Sequence, residues 1–217
     1  MNKHLALDNV STHLFDGMTL MVGGFMCVGT PEALIDEVVK SGVKNLTIIC
    51  NDAGFESQGV GKLIKHNQVS HLIASHIGLN PYAGKLMSQE KMQVTLVPQG
   101  TLAEQIRAKG HGLGGFLTPT GVGTIVEEGK DIIKIDHKAY LLETPLSADL
   151  ALILADKTDQ YGNVVYAKTT RNFNPLMAMA ADKTIAYSRK VVDHIDPDNV
   201  MTPHIFVDYV CQEESHE

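Results

Sequence analysis

The feature that most constrains this chain is the stretch from Met18 to Gly42. A continuous apolar run, Met18-Thr-Leu-Met-Val22, stops at Gly23-Gly24 and gives way to a run with helical periodicity. A short apolar run fits a strand covered on both faces, and the helical run behind it fits the crossover that a parallel neighbour requires. Thr30 is expected to cap the helix, Pro31 to fit its first turn and Glu32 to complement the positive end of its dipole. Leu34, Ile35, Val38 and Val39 fall on one face, and Gly42 supplies the stop.

The same alternation continues. Further strands are predicted at residues 46–50, 71–76, 93–97, 132–135, 139–142, 150–155, 164–167, 184–187 and 205–210. Thr101-Leu-Ala-Glu104 places Thr and Glu three apart at a helix start, the spacing of a capping box. The fold class expected from this order is α/β, an open, mainly parallel sheet flanked by helices. The 217 residues hold no internal repeat or low-complexity linker, so a single domain over residues 1–217 is expected. Residues 109–129 are rich in glycine, but Phe116, Leu117, Val122, Ile125 and Val126 argue against disorder. This segment is predicted to be an ordered loop lining a site.

Composition narrows the function. The net charge of −7 makes nucleic acid a poor partner. The N-terminal residues lack the apolar run of a secretory signal, and no segment has the apolar length that spans a bilayer, so a cytoplasmic protein without membrane contact is expected. Cys27, Cys50 and Cys211 are odd in number, widely spaced and without a C-x-x-C pair, which suggests neither a disulfide framework nor a zinc site. His66, His71 and His76 recur every five residues, a spacing that faces opposite sides of a strand, and no metal is expected.

Strand, glycine turn and helix together offer backbone amides to an anion, so 23–30 reads either as a phosphate or pyrophosphate loop or as a structural turn. The dinucleotide fingerprint fails because Met26 stands where its middle glycine belongs, and no Gly-Lys-Ser/Thr follows the turn. Asp52 sits where a ribose-binding acid could lie, yet nicotinamide binding is disfavoured. Asn51-Asp-Ala-Gly54 follows a strand's carboxyl end, where open α/β sheets place ligands, although Asn and Asp are also ordinary turn residues. Cys27 has no evident His partner and reads as a small packing residue. Glu127, Glu128 and Glu143 are carboxylates near turns and are expected to be solvated. The residues alone yield no complete catalytic set.

Asp16-Gly-Met-Thr-Leu-Met-Val-Gly-Gly-Phe-Met-Cys-Val-Gly-Thr-Pro31 resembles the first signature of the family I CoA-transferases, alpha subunit. The resemblance continues, in the same order, through residues 50–54, 96–104, 116–124, 143–149, 156–163 and 171–174. It implies the alpha subunit of a short-chain acyl-CoA:carboxylate CoA-transferase of the butyrate, acetate or acetoacetate type. Such a chain pairs with a homologous beta subunit, generally as α2β2, and reacts by ping-pong through a glutamyl-CoA thioester. The nucleophilic glutamate of that family lies in a Ser-Glu-Asn-Gly motif of the beta subunit, and no Ser-Glu-Asn occurs here. Coenzyme A enters as substrate rather than as a permanently bound cofactor.

By motif match, Gly24, Phe25, Met26, Cys27, Val28, Gly29 and Thr30 correspond to the CoA-binding turn. Gln99 corresponds to an alpha-chain residue bordering the active centre, as an oxyanion donor, Asn51 to one lining the carboxylate end, and 118–124 to a wall of the subunit junction. Met26 and Cys27 stand where relatives often carry smaller residues, and Cys50 and Asp52 where Ser and Asn are frequent, which leaves substrate preference open. Two other readings share the glycine turn: a noncatalytic CoA-binding module and a sugar-phosphate isomerase-like enzyme.

Overall fold

A computed structural model describes residues 3–212. Seven strands lie side by side: β1 (Thr19–Val22), β2 (Leu46–Ile49), β3 (Val69–Ala74), β4 (Gln93–Leu96), β5 (Ala148–Ala155), β6 (Ala181–Ser188) and β7 (Tyr209–Gln212). Their order is β7-β6-β5-β1-β2-β3-β4, and every neighbouring pair is parallel. From β1 the chain moves outward through β2, β3 and β4, whereas from β5 it moves the other way through β6 and β7. The direction therefore reverses between β1 and β5, which is where open α/β sheets leave a crevice.

The helices are α1 (Glu32–Ser41), α2 (Gly61–Lys65), α3 (Pro81–Ser88), α4 (Gln99–Gly110) and α5 (Asn174–Ala178). Strand alternation decides which face each apolar side chain serves. Leu20, Val22, Ile48, Leu72 and Leu152 pack with Leu34, Ile35 and Val38 of α1 and with Leu63 and Ile64 of α2. Met21, Ile49, Ile153 and Ala186 pack on the other face with Leu102 and Ile106 of α4 and Met177 of α5. Gly42 ends α1 in the left-handed conformation, φ 72°, as its position after Ser41 suggests.

Several local expectations fail for identifiable reasons. The α1 N-cap is Pro31 and no side chain caps it, so Thr30 does not serve as the cap. The helix α4 begins three residues earlier than the capping box requires, because Leu102 N–H already donates to Pro98 O at 2.9 Å. Thr101 is thus inside the first turn and buried. In the glycine-rich segment 109–129, Lys109 and Gly110 still belong to α4, and Phe116–Thr118 is a strand paired antiparallel with Lys138–Glu143. Ile132–Ile135 pairs on the other side of Lys138–Glu143, giving a three-stranded sheet outside the main one. The strand expected at 205–210 begins later: His204–Phe206 is a 3-10 turn, and Asp208 Oδ2 accepts the Thr184 N–H at 2.8 Å before the β7 ladder starts.

Ile48 is fully buried in β2 between α1 and the sheet centre. Ile48→Ala is expected to lower unfolding free energy by about 2–5 kcal/mol, read from the urea midpoint at constant slope.

Candidate active site

The carboxyl ends of β1 to β4 deliver Gly23, Asn51 with Asp52, Ser75 with His76, and Gln99 to one edge of the sheet. The first of these is a tight reversal. Phe25 N–H donates to Val28 O at 3.0 Å and Val28 N–H returns to Phe25 O at 2.9 Å. Between them, Met26 (φ 47°) and Cys27 (φ 63°) are both left-handed. Two such residues in a two-residue turn normally call for Asn or Gly, and each non-glycine costs about 1–2 kcal/mol.

The surroundings hold this turn from both sides. Asp52 Oδ2 accepts the Met26 N–H at 2.7 Å. Asn172 Nδ2 donates to Val28 O at 2.9 Å, and Asn174 Nδ2 donates to Gly29 O at 2.9 Å. Asn174 is fully buried; its Oδ1 accepts the Leu154 N–H at 2.9 Å and its Nδ2 also reaches Thr170 O at 3.0 Å. A Cβ on residue 23 would lie 1.9 Å from Asn174 Oδ1, so glycine there is a condition for this clamp. Gly24 has φ 124°, and a Cβ on it would meet Thr30 Oγ1 at 2.0 Å.

This geometry narrows what the turn can offer an anion. The N–H groups of Phe25, Met26 and Val28 are already committed to protein acceptors. The first turn of α1 carries the Glu32 carboxylate, which accepts the Gly59 N–H at 2.7 Å and pairs with Lys62 at 2.7 Å. A negative group therefore already occupies the helix end that would have drawn a phosphate. Phe25, Met26 and Val28 instead expose apolar side chains beside the turn.

Asp52 is likewise engaged by the protein itself. Besides Met26, its Oδ2 accepts Asn51 Nδ2 at 2.8 Å, while Oδ1 accepts the Gly54 N–H at 2.9 Å. Asn51 is 2% exposed. Its Oδ1 accepts Gln99 Nε2 at 2.8 Å and Ser75 Oγ at 3.2 Å. Gln99 is exposed at the start of α4, and its side chain has no other hydrogen bond among the described residues. Asn51 and Gln99, singled out in the sequence, are thus in direct contact, but Asn51 turns both ends of its amide to protein partners.

A small cleft beneath the turn is lined by Gly24, Cys27, Thr30, Asn51, Asp52 and Gly59. A more open groove of about 430 Å³ lies on the C-terminal side of Gln99, between Gly100, Thr101 and Glu104 of α4 and Phe116, Leu117 and Thr118 of the outer sheet. The groove's outer wall is held by Glu143, which is buried, contrary to the expectation of a solvated carboxylate. It pairs with Lys130 at 2.6 Å and accepts Gln105 Nε2 at 2.9 Å, joining the outer sheet to α4. Glu127 Oε2 accepts the Gly123 N–H at 2.6 Å inside its own loop, and Glu128 is exposed.

Burial pushes the Cys27 thiol up, with the nearby Glu32 and Asp52 carboxylates adding to the rise against a bond from the Phe55 backbone. Burial also holds Cys50 well above the ordinary thiol range and pushes Cys211 up to about 12. His71 Nε2 hydrogen-bonds Thr95 Oγ1 at 2.8 Å and His66 Nδ1 hydrogen-bonds Lys62 O at 2.8 Å. Among the described residues, no three His, Cys, Asp or Glu side chains are grouped to hold a metal ion. No helix among them is long and apolar enough to cross a membrane.

Two outcomes follow from the turn. Gly23→Ala is expected to displace Asn174 and cost upwards of about 2 kcal/mol, because buried backbone groups lose their partners, and urea unfolding measures it. Cys27 in the native chain is expected to react with iodoacetamide at pH 7.5 more slowly than free cysteine, and to accelerate as pH rises past the ordinary thiol range. Mass spectrometry of the labelled peptide reads that rate.

The sequence profile described as Coenzyme A transferase matches residues 5–213. The chain is 51% identical, over 96% of both chains, to a protein of Escherichia coli K12 named acetate CoA-transferase subunit alpha. It is 48% identical, over 98% of both, to the alpha subunit of the acetoacetyl-CoA:acetate/butyrate CoA transferase of Clostridium acetobutylicum. A crystal structure of an acyl-CoA transferase from Escherichia coli O157:H7, a thioester complex with CoA, shares the fold. Its TM-score is 0.87 at 22% identity, and the match covers 98% of this chain and 47% of that longer one. With a family profile spanning nearly all its residues and relatives this close along their full lengths, the chain belongs to the coenzyme A transferase family.

Proposed function

We propose that this chain is the alpha subunit of a short-chain acyl-CoA:carboxylate CoA-transferase that acts on butyrate, acetate or acetoacetate groups. The observation that carries this reading is the near-half identity, end to end, with chains named as alpha subunits of enzymes with those substrates. The geometry supports the same division of labour. The carboxylate lining the cleft, Asp52, has three N–H donors on its two oxygens and is not poised as a nucleophile. What the chain offers is an exposed, oriented carboxamide, Gln99, between the cleft and the groove.

In the reaction so proposed, a glutamate of the beta subunit attacks the acyl-CoA carbonyl and expels CoA thiolate, leaving a mixed anhydride. The thiolate then attacks the glutamyl carbonyl, releasing the carboxylate product and forming the glutamyl-CoA thioester. An incoming carboxylate runs the sequence backwards and leaves with CoA. Each addition builds negative charge on a carbonyl oxygen, and a preorganised N–H donor aimed at it contributes about 3 kcal/mol. Gln99 supplies such a donor, and Asn51 supports it. Gly24, Phe25, Met26, Cys27, Val28, Gly29 and Thr30 line the entry of the CoA thiol arm. The exposed side chains of Phe25, Met26 and Val28 suit the pantetheine chain better than a phosphate.

In this reading residues 1–217 form one subunit domain. It assembles with a homologous beta subunit as α2β2 in the cytoplasm, and CoA is a substrate rather than a resident cofactor.

Co-expression with the beta subunit and assay of acetoacetyl-CoA and butyryl-CoA consumption with acetate tests the reading. Activity is expected in the complex and absent from either chain alone; transfer by this chain without a partner overturns it. Gln99→Ala is expected to lower kcat about 100-fold in the complex while leaving assembly intact on size-exclusion chromatography.

A further inference from the structure

We infer that Asp52 is a positioning residue that fixes the orientation of the Gln99 carboxamide through Asn51. The inference rests on the reading of Gln99 as the oxyanion donor. An ionised carboxylate can only accept hydrogen bonds, and both oxygens of Asp52 are surrounded by donors: Met26 N–H and Asn51 Nδ2 on Oδ2, and Gly54 N–H on Oδ1. The Asn51 side chain must therefore present its NH2 to Asp52, which leaves its carbonyl oxygen facing Gln99. That oxygen can only accept, so Gln99 must meet it with Nε2, at 2.8 Å.

The direction of each amide in the row is thus dictated by the acceptor-only group at its end. Two carboxamides facing each other could otherwise settle either way, since the oxygen and NH2 ends are nearly the same size. The single Ser75 Oγ proton is shared between Asn51 O at 2.8 Å and Asn51 Oδ1 at 3.2 Å, a weaker second donor to the same oxygen. Asn51 is 2% exposed and Asp52 6%, so water does not freely substitute for either partner. With one Nε2 proton held by Asn51, the second is left for an oxyanion, on a carboxamide that no longer rotates. A fixed donor needs no reorganisation as charge develops, which is where such groups gain their catalytic effect.

Asp52→Asn reverses the logic at its source. If the new amide keeps its oxygen toward Met26 and Asn51, only the Gly54 N–H loses its acceptor; if it turns its NH2 there, the relief open to the row is a flip of Asn51 that turns its NH2 toward Gln99. The test is a double-mutant cycle in the assembled complex, with Asp52→Asn, Gln99→Ala and the double variant. For each, kcat, the KM for acyl-CoA and the melting temperature are measured. Asp52→Asn is expected to lower kcat roughly 10- to 100-fold with KM changed less than about twofold. The double variant is expected to match Gln99→Ala alone within about twofold, because without the carboxamide there is nothing left to orient.

If Gln99→Ala retains full kcat, the reading of Gln99 fails and takes the inference with it. If Gln99→Ala is impaired but Asp52→Asn keeps kcat, or lowers it by the same factor with and without Gln99, the positioning role alone is overturned. Should Asp52→Asn not assemble, Asn51→Ser cuts the same row one residue later and is read by the same cycle.

Discussion

The side chain of Asn174 occupies the space that any Cβ at residue 23 would need, and the site is organised around that exchange of volume. At the centre of this sheet, β1 and β5 are neighbours whose following segments leave in opposite directions. Backbone groups just past the strand ends therefore lose the ladder partners that a regular sheet would give them. One buried carboxamide accepts from Leu154, which lies beyond the last partner of β1, and donates to Gly29 and Thr170. With Asn172, which donates to Val28 O, it ties the glycine turn to the other half of the sheet.

The turn so anchored is built against local preference, with two adjacent left-handed residues that are not glycine. Its strain, of the order of 1–2 kcal/mol for each, is sustained by side chains from distant segments rather than by its own sequence. Asp52 has two tasks there. It ties down Met26, and it sets the sense of the amide row that ends at Gln99. A carboxylate saturated with donors in this way is an organiser of polar groups. The proposed assignment of the nucleophile to another subunit agrees with that role.

Much of the fold was legible because it depends on short-range pattern. The alternation in Leu20-Met21-Val22 and Ile48-Ile49 sends side chains to opposite faces, and the two helical layers meet them there. The errors came where a neighbour overrode the local signal. Thr101 and Glu104 have the spacing of a capping box, but the Pro98 carbonyl starts the helix earlier. Phe116–Thr118 looked like loop because glycines surround it, and it becomes a strand only because Lys138–Glu143 provides a ladder. Glu143 looked solvated beside Pro145, yet Lys130 and Gln105 make its burial possible.

The sequence by itself determined the class of sheet, the C-terminal limit of α1 at Gly42 and, through its motifs, the family. Tertiary structure alone decided how the site works. Gln99 and Asn51 are 48 residues apart, and Asn174 and Gly29 are 145 apart. Periodicity records which face a residue takes within its own element, but a hydrogen bond between elements depends on where two strands end in space. For that reason Asn51, Asp52 and Gln99 could be named as separate candidates from the sequence, whereas the order of donors and acceptors that joins them belongs to the folded chain.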